Sequence, residues 1–255
     1  MSSSEDAIWS TVAMHIRHLL SGAKHGRSGS FPQMCFAFSG ESVANLNYSA
    51  LWGAASDEDV DQLMEHLGDL DAMVVVSEAS TDRLGPKLKE AGLLFGGACP
   101  LMTVELTATA PDEGPYRIEA VRDPEQLATM VNTLADAYAL APEYTSAAFG
   151  LAIMAEPDTT PSLAWREGEA HSAAITTRVG TDIGIWAMGT AARFQRQGAG
   201  RALLGTVMSR LATEGAKRCF LFPSPAGRRL YDSLGFVEVD RSEIWLKGIS
   251  TEFPE

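Results

Sequence analysis

The sequence predicts a mixed α/β protein, with an α+β mixed sheet, built as two related halves. Three observations carry that expectation. Strand-like β-branched runs alternate with amphipathic helical ones along the chain. A stretch rich in Pro, Asp, Glu and Gly at 109–115 separates two regions that each hold strands and helices, which puts the boundary between 1–111 and 112–255. The run Met73-Val74-Val75-Val76, a polar turn, a helix and Gly92-Leu93 is echoed by Cys219-Phe220-Leu221-Phe222, a polar turn, a helix and Gly235-Phe236, an offset of 143 residues carrying Gly92 onto Gly235.

Taken in order, the first half reads as a helix over 5–20, strands near 34–39 and 44–52, and a helix over 57–67. A strand at 72–77, a helix at 81–91 and a strand at 101–106 follow. The second half reads as a strand at 116–121, a helix at 124–138 and irregular chain to 161. Strands near 162–166, 170–179 and 183–190 come next. A helix over 198–214 carries Leu203, Leu204, Val207, Met208 and Leu211 on one face, and a strand at 218–222, a helix at 226–234 and a strand at 236–246 complete the chain.

Composition narrows the function classes. With 255 residues, 45% hydrophobic and 21% charged, the chain is ordinary for a globular protein with one large or two modest cores. No apolar run approaches the ~20 residues of a membrane span, and the acidic opening MSSSEDAIWS does not read as a secretory signal, so no membrane partner and a cytoplasmic location are expected. Cys35, Cys99 and Cys219 are odd in number and widely spaced; they read as reduced thiols, and no metal is expected. A net charge of −13 argues against a nucleic-acid partner and mildly favours a cationic one. Yet residues 191–241 hold nine of the 20 basic residues against four acidic ones. A local basic patch of that kind suits a phosphate-rich cofactor, with Arg210 and Arg241 read as plain solvated charges.

The run Gln195-Arg196-Gln197-Gly198-Ala199-Gly200-Arg201 joins the 183–190 strand to the 198–214 helix. Its small residues let backbone approach a ligand closely, and the unpaired amides of the first helical turn, helped by the macrodipole, can face phosphate oxygens. The run lacks the Lys-Ser/Thr of a P-loop and the spacing of a dinucleotide-binding turn. It resembles the pyrophosphate loop of the GNAT superfamily of acyl-CoA-dependent N-acyltransferases, with Gln195, Gly198 and Gly200 at the defining places. The resemblance extends back through Trp186-Ala187-Met188-Gly189-Thr190 and forward through Leu230-Tyr231-Asp232-Ser233-Leu234-Gly235-Phe236. It is strong over about 116–247 and faint over 30–107. The second half is therefore expected to have the GNAT fold, and the first to be a degenerate α/β relative, without the loop and with Leu88 in the place of Tyr231.

The resemblance implies acetyl-CoA as cofactor and a small-molecule primary amine as acceptor, reacting by direct attack in a ternary complex. It places Met188, Gly189 and Thr190 along the pantetheine arm, Met188 polarising the thioester carbonyl through its amide. Gln195, Arg196, Gln197, Gly198, Ala199, Gly200 and Arg201 would hold the pyrophosphate, Arg196 and Arg201 being free to add side-chain charge. Tyr231 stands where the family's thiolate-protonating tyrosine stands. Pro223-Ser224-Pro225 replaces a usual Asn, leaving Ser224 as a substitute arm contact. Tyr138, Glu143, Tyr144 and Trp186 are the acceptor-pocket candidates. The 183–190 strand has no carboxylate, so the base stays open among Asp182 at its edge, His171, Glu169, Glu143, Glu156 and water. Two other functions stay open beside N-acetyl transfer, a non-catalytic CoA-binding or interaction module and the same scaffold with another acyl group or chemistry; a homodimer is also open.

Overall fold

In a computed structural model, which describes residues 3–20, 23–108 and 114–248, the strands form two sheets that exchange members. Ahead of both runs helix α1, Ser3–Leu19. The first sheet collects β1 (Arg27–Ser30), β2 (Met34–Phe38), β3 (Asn47–Leu51), β4 (Ala72–Val76) and β5 (Leu94–Ala98). Its helices are α2 (Asp57–Leu67), opened by a Ser56/Asp59 capping box, and α3 (Glu78–Glu90). The next strand, β6 (Leu101–Glu105), leaves for the second sheet.

The second sheet adds β7 (Arg117–Ala120), β8 (Thr159–Arg166), β9 (Glu169–Val179), β10 (Asp182–Thr190), β11 (Arg218–Leu221) and β12 (Val237–Asp240). Helix α4 (Pro124–Tyr138) starts on an Asp123 side-chain cap with Pro124 in its first turn and stops where Ala139 turns left-handed. Helices α5 (Pro142–Ala148), α6 (Ala199–Thr213) and α7 (Arg228–Ser233) follow, and the last strand, β13 (Glu243–Lys247), returns to the first sheet.

The orders are β1-β2-β3-β4-β13-β5 and β12-β6-β11-β10-β9-β8-β7. Thus β6 lies antiparallel between β11 and β12, pairing Glu105 with Arg218, while β13 lies antiparallel between β4 and β5, pairing Lys247 with Ala72. The repeat seen in the sequence is therefore a reciprocal strand exchange. Sheet membership crosses the 111/112 boundary, which itself falls on 109–113, outside the described residues. The expected strand over 236–246 is two strands in different sheets, broken at the buried Asp240 and at Ser242, whose hydroxyl donates to the Cys99 carbonyl oxygen. Strands β1 and β5 went unread because RSGS and LFGGA carry no alternating apolar pattern. The expected irregular segment before 161 holds α5 and a short 3-10 turn, Leu151–Ala155.

Helix α1 joins the two units. Trp9, Val12, Ala13, Ile16 and Leu19 are buried in one cluster with Cys35, Ala50 and Trp52 of the first half and with Ile175, Trp186 and Phe220 of the second.

Candidate active site

Strand β10 pairs with parallel β11 only from Asp182 to Gly184, while its antiparallel pairing with β9 continues to Thr190. Beyond Gly184 the two parallel strands diverge, and the β11-facing side of β10 is left without a partner strand. Within that open part the β9 register jumps from Trp186↔Ile175 to Gly189↔Ala173, a bulge that frees Ala187 and Met188 from the ladder and turns Ala187 to φ 44°. The bulge is held on both sides. The Tyr138 hydroxyl donates to the Met188 carbonyl oxygen at 3.0 Å, and the Ser172 hydroxyl donates to that of Gly189 at 2.7 Å. Gly189 also clears α4, since a Cβ there would stand 2.6 Å from that of Ala137.

From Thr190 the chain makes a 3-10 turn, Ala192–Phe194, and enters α6 through Gly198, the N-cap, at φ 91° with open space where a side chain would stand. The first intrahelical bond runs from the Ala202 amide to the Gly198 carbonyl, so the amides of Ala199, Gly200 and Arg201 have no backbone acceptor among the described residues. Arg196, at φ 60°, precedes them in a left-handed turn that adds to the concavity. Asp136 and Tyr116, which the sequence did not single out, and His171, read there only as a candidate base, fix this loop. Asp136 accepts from the Ala192 amide at 2.7 Å, the Tyr116 hydroxyl donates to the Gln197 carbonyl at 2.9 Å, and the His171 ring stacks on Phe194 at 3.6 Å. Only packing partners reveal them.

Side-chain charge at the loop is narrower than the basic patch suggests. Arg201 is not free, because its guanidinium donates to the Ser233 carbonyl at 3.1 Å and hydroxyl at 2.7 Å; it ties α6 to α7 instead. Arg193, Arg218 and Arg228 are held by Glu169, Asp182, and Asp232 with Glu238 respectively. Arg196 has neither a hydrogen bond nor an ion pair among the described residues, which leaves it the available cation beside the open amides. Gln195 reaches back to the Thr190 carbonyl at 3.5 Å. The uncommitted amides, the clear space before Gly198 and the diverging strands fit a pyrophosphate continued by an extended pantetheine arm. Bound there, acetyl-CoA would supply an activated acyl group.

Tyr231 is 7% exposed, packed edge-on to Phe236, and its hydroxyl has no partner among the described residues, yet is not sealed from solvent. What remains open of this side chain includes its acidic end. Burial pushes its pKa up to about 12, so it is a neutral proton donor at physiological pH. Ser224 accepts the Gly227 amide through its hydroxyl at 3.2 Å, shaping the entry to α7. It lines a 340 Å³ surface cleft with Pro223, Pro225, Arg228 and Arg241, at the strand-exchange junction.

Of the acceptor-pocket candidates, Tyr138 and Trp186 sit at the bulge. Trp186 is buried with its indole N–H donating to Thr177 at 2.7 Å. Glu143 and Tyr144 stand exposed on the first turn of α5, and among the described residues neither side chain makes a hydrogen bond or ring contact. The base candidates are not gathered at the bulge. Asp182 takes a two-pronged bond from Arg218 at the opposite end of β10, and Glu169 holds Arg193. His171 lies between Tyr116 and Phe194 with Nδ1 enclosed and unpartnered, desolvation lowering its pKa.

Residues 134–251 match the family described as an acetyltransferase (GNAT) domain. Among solved structures, a GCN5-related N-acetyltransferase from Kribbella flavida aligns over 94% of this chain and 96% of its own at 18% identity, with a TM-score of 0.66. One from Sphaerobacter thermophilus aligns over 84% and 80% at 14% identity and TM-score 0.56. A conserved protein of unknown function from Staphylococcus epidermidis aligns over 89% and 96% at 13% identity and TM-score 0.58. No curated protein matches the sequence.

Proposed function

We propose that this chain, whose residues 134–251 match a GNAT acetyltransferase domain, transfers an acetyl group from acetyl-CoA to the primary amine of a small molecule by direct attack in a ternary complex. The observation that carries this reading is the divergence of β10 from β11 past Gly184, which leads from the Met188 bulge to the open amides of α6.

In the proposed reaction the amides of Gly198, Ala199, Gly200 and Arg201, with the Arg196 guanidinium, bind the pyrophosphate. The bulged backbone at Met188, freed from the ladder, offers its amide to the thioester carbonyl oxygen, where negative charge grows as the amine nitrogen attacks. As the C–S bond breaks, Tyr231 gives its proton to the departing thiolate. The amine's own proton leaves to solvent in this reading, since Asp182 and Glu169 are engaged by Arg218 and Arg193 and His171 is stacked on Phe194. We place the reaction in the cytoplasm, where Cys35, Cys99 and Cys219, free thiols in the structure, stay reduced.

Thiol release from acetyl-CoA across an amine panel tests the reading. We expect acceptor-dependent release, and the Tyr231→Phe variant to lose about 10–100-fold in kcat while acetyl-CoA affinity stays within about twofold. No thiol release with any amine would leave a CoA-binding module, and unchanged turnover in Tyr231→Phe would remove this tyrosine from the chemistry.

A further inference from the structure

The acceptor side of the bulge has a wall that comes from the other half of the chain. Tyr48, on β3 of the first sheet, is half-buried with its ring edge-on to Trp186 of β10, centroids 6.2 Å apart at 64°. Trp186 in turn meets Phe222 at 6.4 Å, and its indole is fixed by Thr177, so Tyr48 faces an immobile aromatic surface. From the other side comes Tyr138, 40% exposed, its hydroxyl on the Met188 carbonyl.

Tyr138 is held protonated by burial first, and then by the neighbouring Tyr48 and Tyr231 hydroxyls; Tyr48 is held so by burial and by the Cys99 thiol. Among the described residues no carboxylate and no cation is hydrogen-bonded to the side chains of Tyr48, Tyr138, Trp186 or Tyr231, since Tyr138 is bonded to the Met188 carbonyl and Trp186 to Thr177. The Tyr48 hydroxyl, like that of Tyr231, has no hydrogen-bond partner among the described residues and remains open to solvent. These side chains are thus aromatic and hydroxyl-bearing, without a charged hydrogen-bond partner among the described residues, and they meet across the seam between the two halves.

We infer that Tyr48 forms, with Trp186 and Tyr138, the far wall of the acceptor pocket, and that this wall selects primary amines whose remaining body is aromatic or aliphatic and uncharged. The inference rests on the acetyl-transfer reading above and adds a substrate class to it. Against Tyr48, Trp186 and Tyr138 a second ammonium would find no carboxylate and an acceptor carboxylate no guanidinium, so either would be desolvated at this wall without a partner. An apolar body instead gains ring contact at Tyr48 and Trp186.

Matched pairs of acceptors decide it, namely hexylamine against 1,6-diaminohexane and 2-phenylethylamine against phenylalanine, assayed by thiol release with the full chain. The uncharged member of each pair should have a kcat/KM higher by about tenfold or more. Tyr48→Leu should raise the KM for 2-phenylethylamine about tenfold, with kcat within about threefold and acetyl-CoA Kd by calorimetry unchanged. Tyr48→Phe, which keeps the ring and guards against a folding defect in the first variant, should stay near the wild-type KM. Equal or better use of the diamine or the amino acid, or a Tyr48→Leu KM like wild type, would overturn the inference and leave acetyl transfer standing. No release with any amine, in a protein that still binds acetyl-CoA, would overturn the transfer reading and this inference with it.

Discussion

At the level of single residues the clearest device is His15 on α1, fully buried with Nδ1 2.7 Å from the Thr177 hydroxyl oxygen. That oxygen also accepts the Trp186 indole N–H, and with two lone pairs and one proton it can meet Nδ1 in either tautomer. Nε2 has no hydrogen-bond partner. Desolvation, aided by the charge of His18, lowers the His15 pKa from 6.5 to about 3. Below the unfolded pKa of 6.5 the unfolded chain binds a proton that the folded one refuses, so stability is fully present above 6.5 and falls as pH drops toward 3. The slope contributed by this group approaches about 1.4 kcal/mol per pH unit. We expect His15→Phe to flatten the pH dependence of Tm between 6.5 and 4 relative to wild type; parallel Tm curves would show that His15 is not its source. Charge at the loop is tested at Gly198. Asn tolerates the left-handed backbone there, and Asp has the same shape with a negative charge. Gly198→Asp should bind acetyl-CoA about tenfold or more weakly than Gly198→Asn by calorimetry, and equal affinities would move the pyrophosphate elsewhere. That glycine was legible from its neighbours in sequence. The commitment of Arg201 to Ser233 was not, because a separation of 32 positions hides an adjacency made by packing.

At the level of elements, β10 decides the site, and its apolar composition was enough to mark it as a strand. Its bulge was not legible. A bulge inserts one residue without altering composition, and Trp186-Ala187-Met188-Gly189 reads as continuous strand until the partner's register is seen to jump. Helix α4, by contrast, was legible over 124–138, and the structure gives the reasons in the Asp123 cap, Pro124 in the first turn and a buried apolar stripe. The contact between the two is narrowest at Gly189, where a methyl group would meet the Ala137 methyl at 2.6 Å and the Leu134 side chain at 3.4 Å. Gly189→Ala must push α4 outward, and with it Tyr138, whose hydroxyl holds the Met188 carbonyl. We expect a cost of about 1–3 kcal/mol in stability and a larger loss in kcat than in acetyl-CoA affinity, since the pyrophosphate amides lie on α6 and α4 reaches their loop through Asp136 on the Ala192 amide, whereas Tyr138 holds the bulge itself. Turnover and affinity falling by equal factors would mean that the bulge geometry is not what α4 supports.

For the molecule as a whole, the exchange of β6 and β13 makes each sheet depend on chain from the other half. The sequence showed the repeat but not the exchange, because a strand's apolar pattern records that it is paired and not with whom. Trp245 states the consequence. It belongs to the last strand, yet it is 3% exposed in the core of the first sheet with Leu84, Leu88 and Val74. Asp240, just before the crossing, accepts from the Trp9 indole of α1 at 2.9 Å and from the Glu78 amide of α3 at 3.0 Å, so the crossing itself is pinned to the first half. With a shared α1 core and reciprocal strands, neither half has a complete sheet without the other, and the two should unfold together. Calorimetry of the full chain is expected to show one transition, displaced upward as a unit by acetyl-CoA. Trp245→Ala, a truncation in the first sheet, should lower the stability of that single transition by about 3–5 kcal/mol and reduce the temperature at which acetyl-CoA binding is lost to the same extent. Two resolved transitions, of which acetyl-CoA shifts one and Trp245→Ala the other, would show that the halves are energetically separate despite the strands they trade.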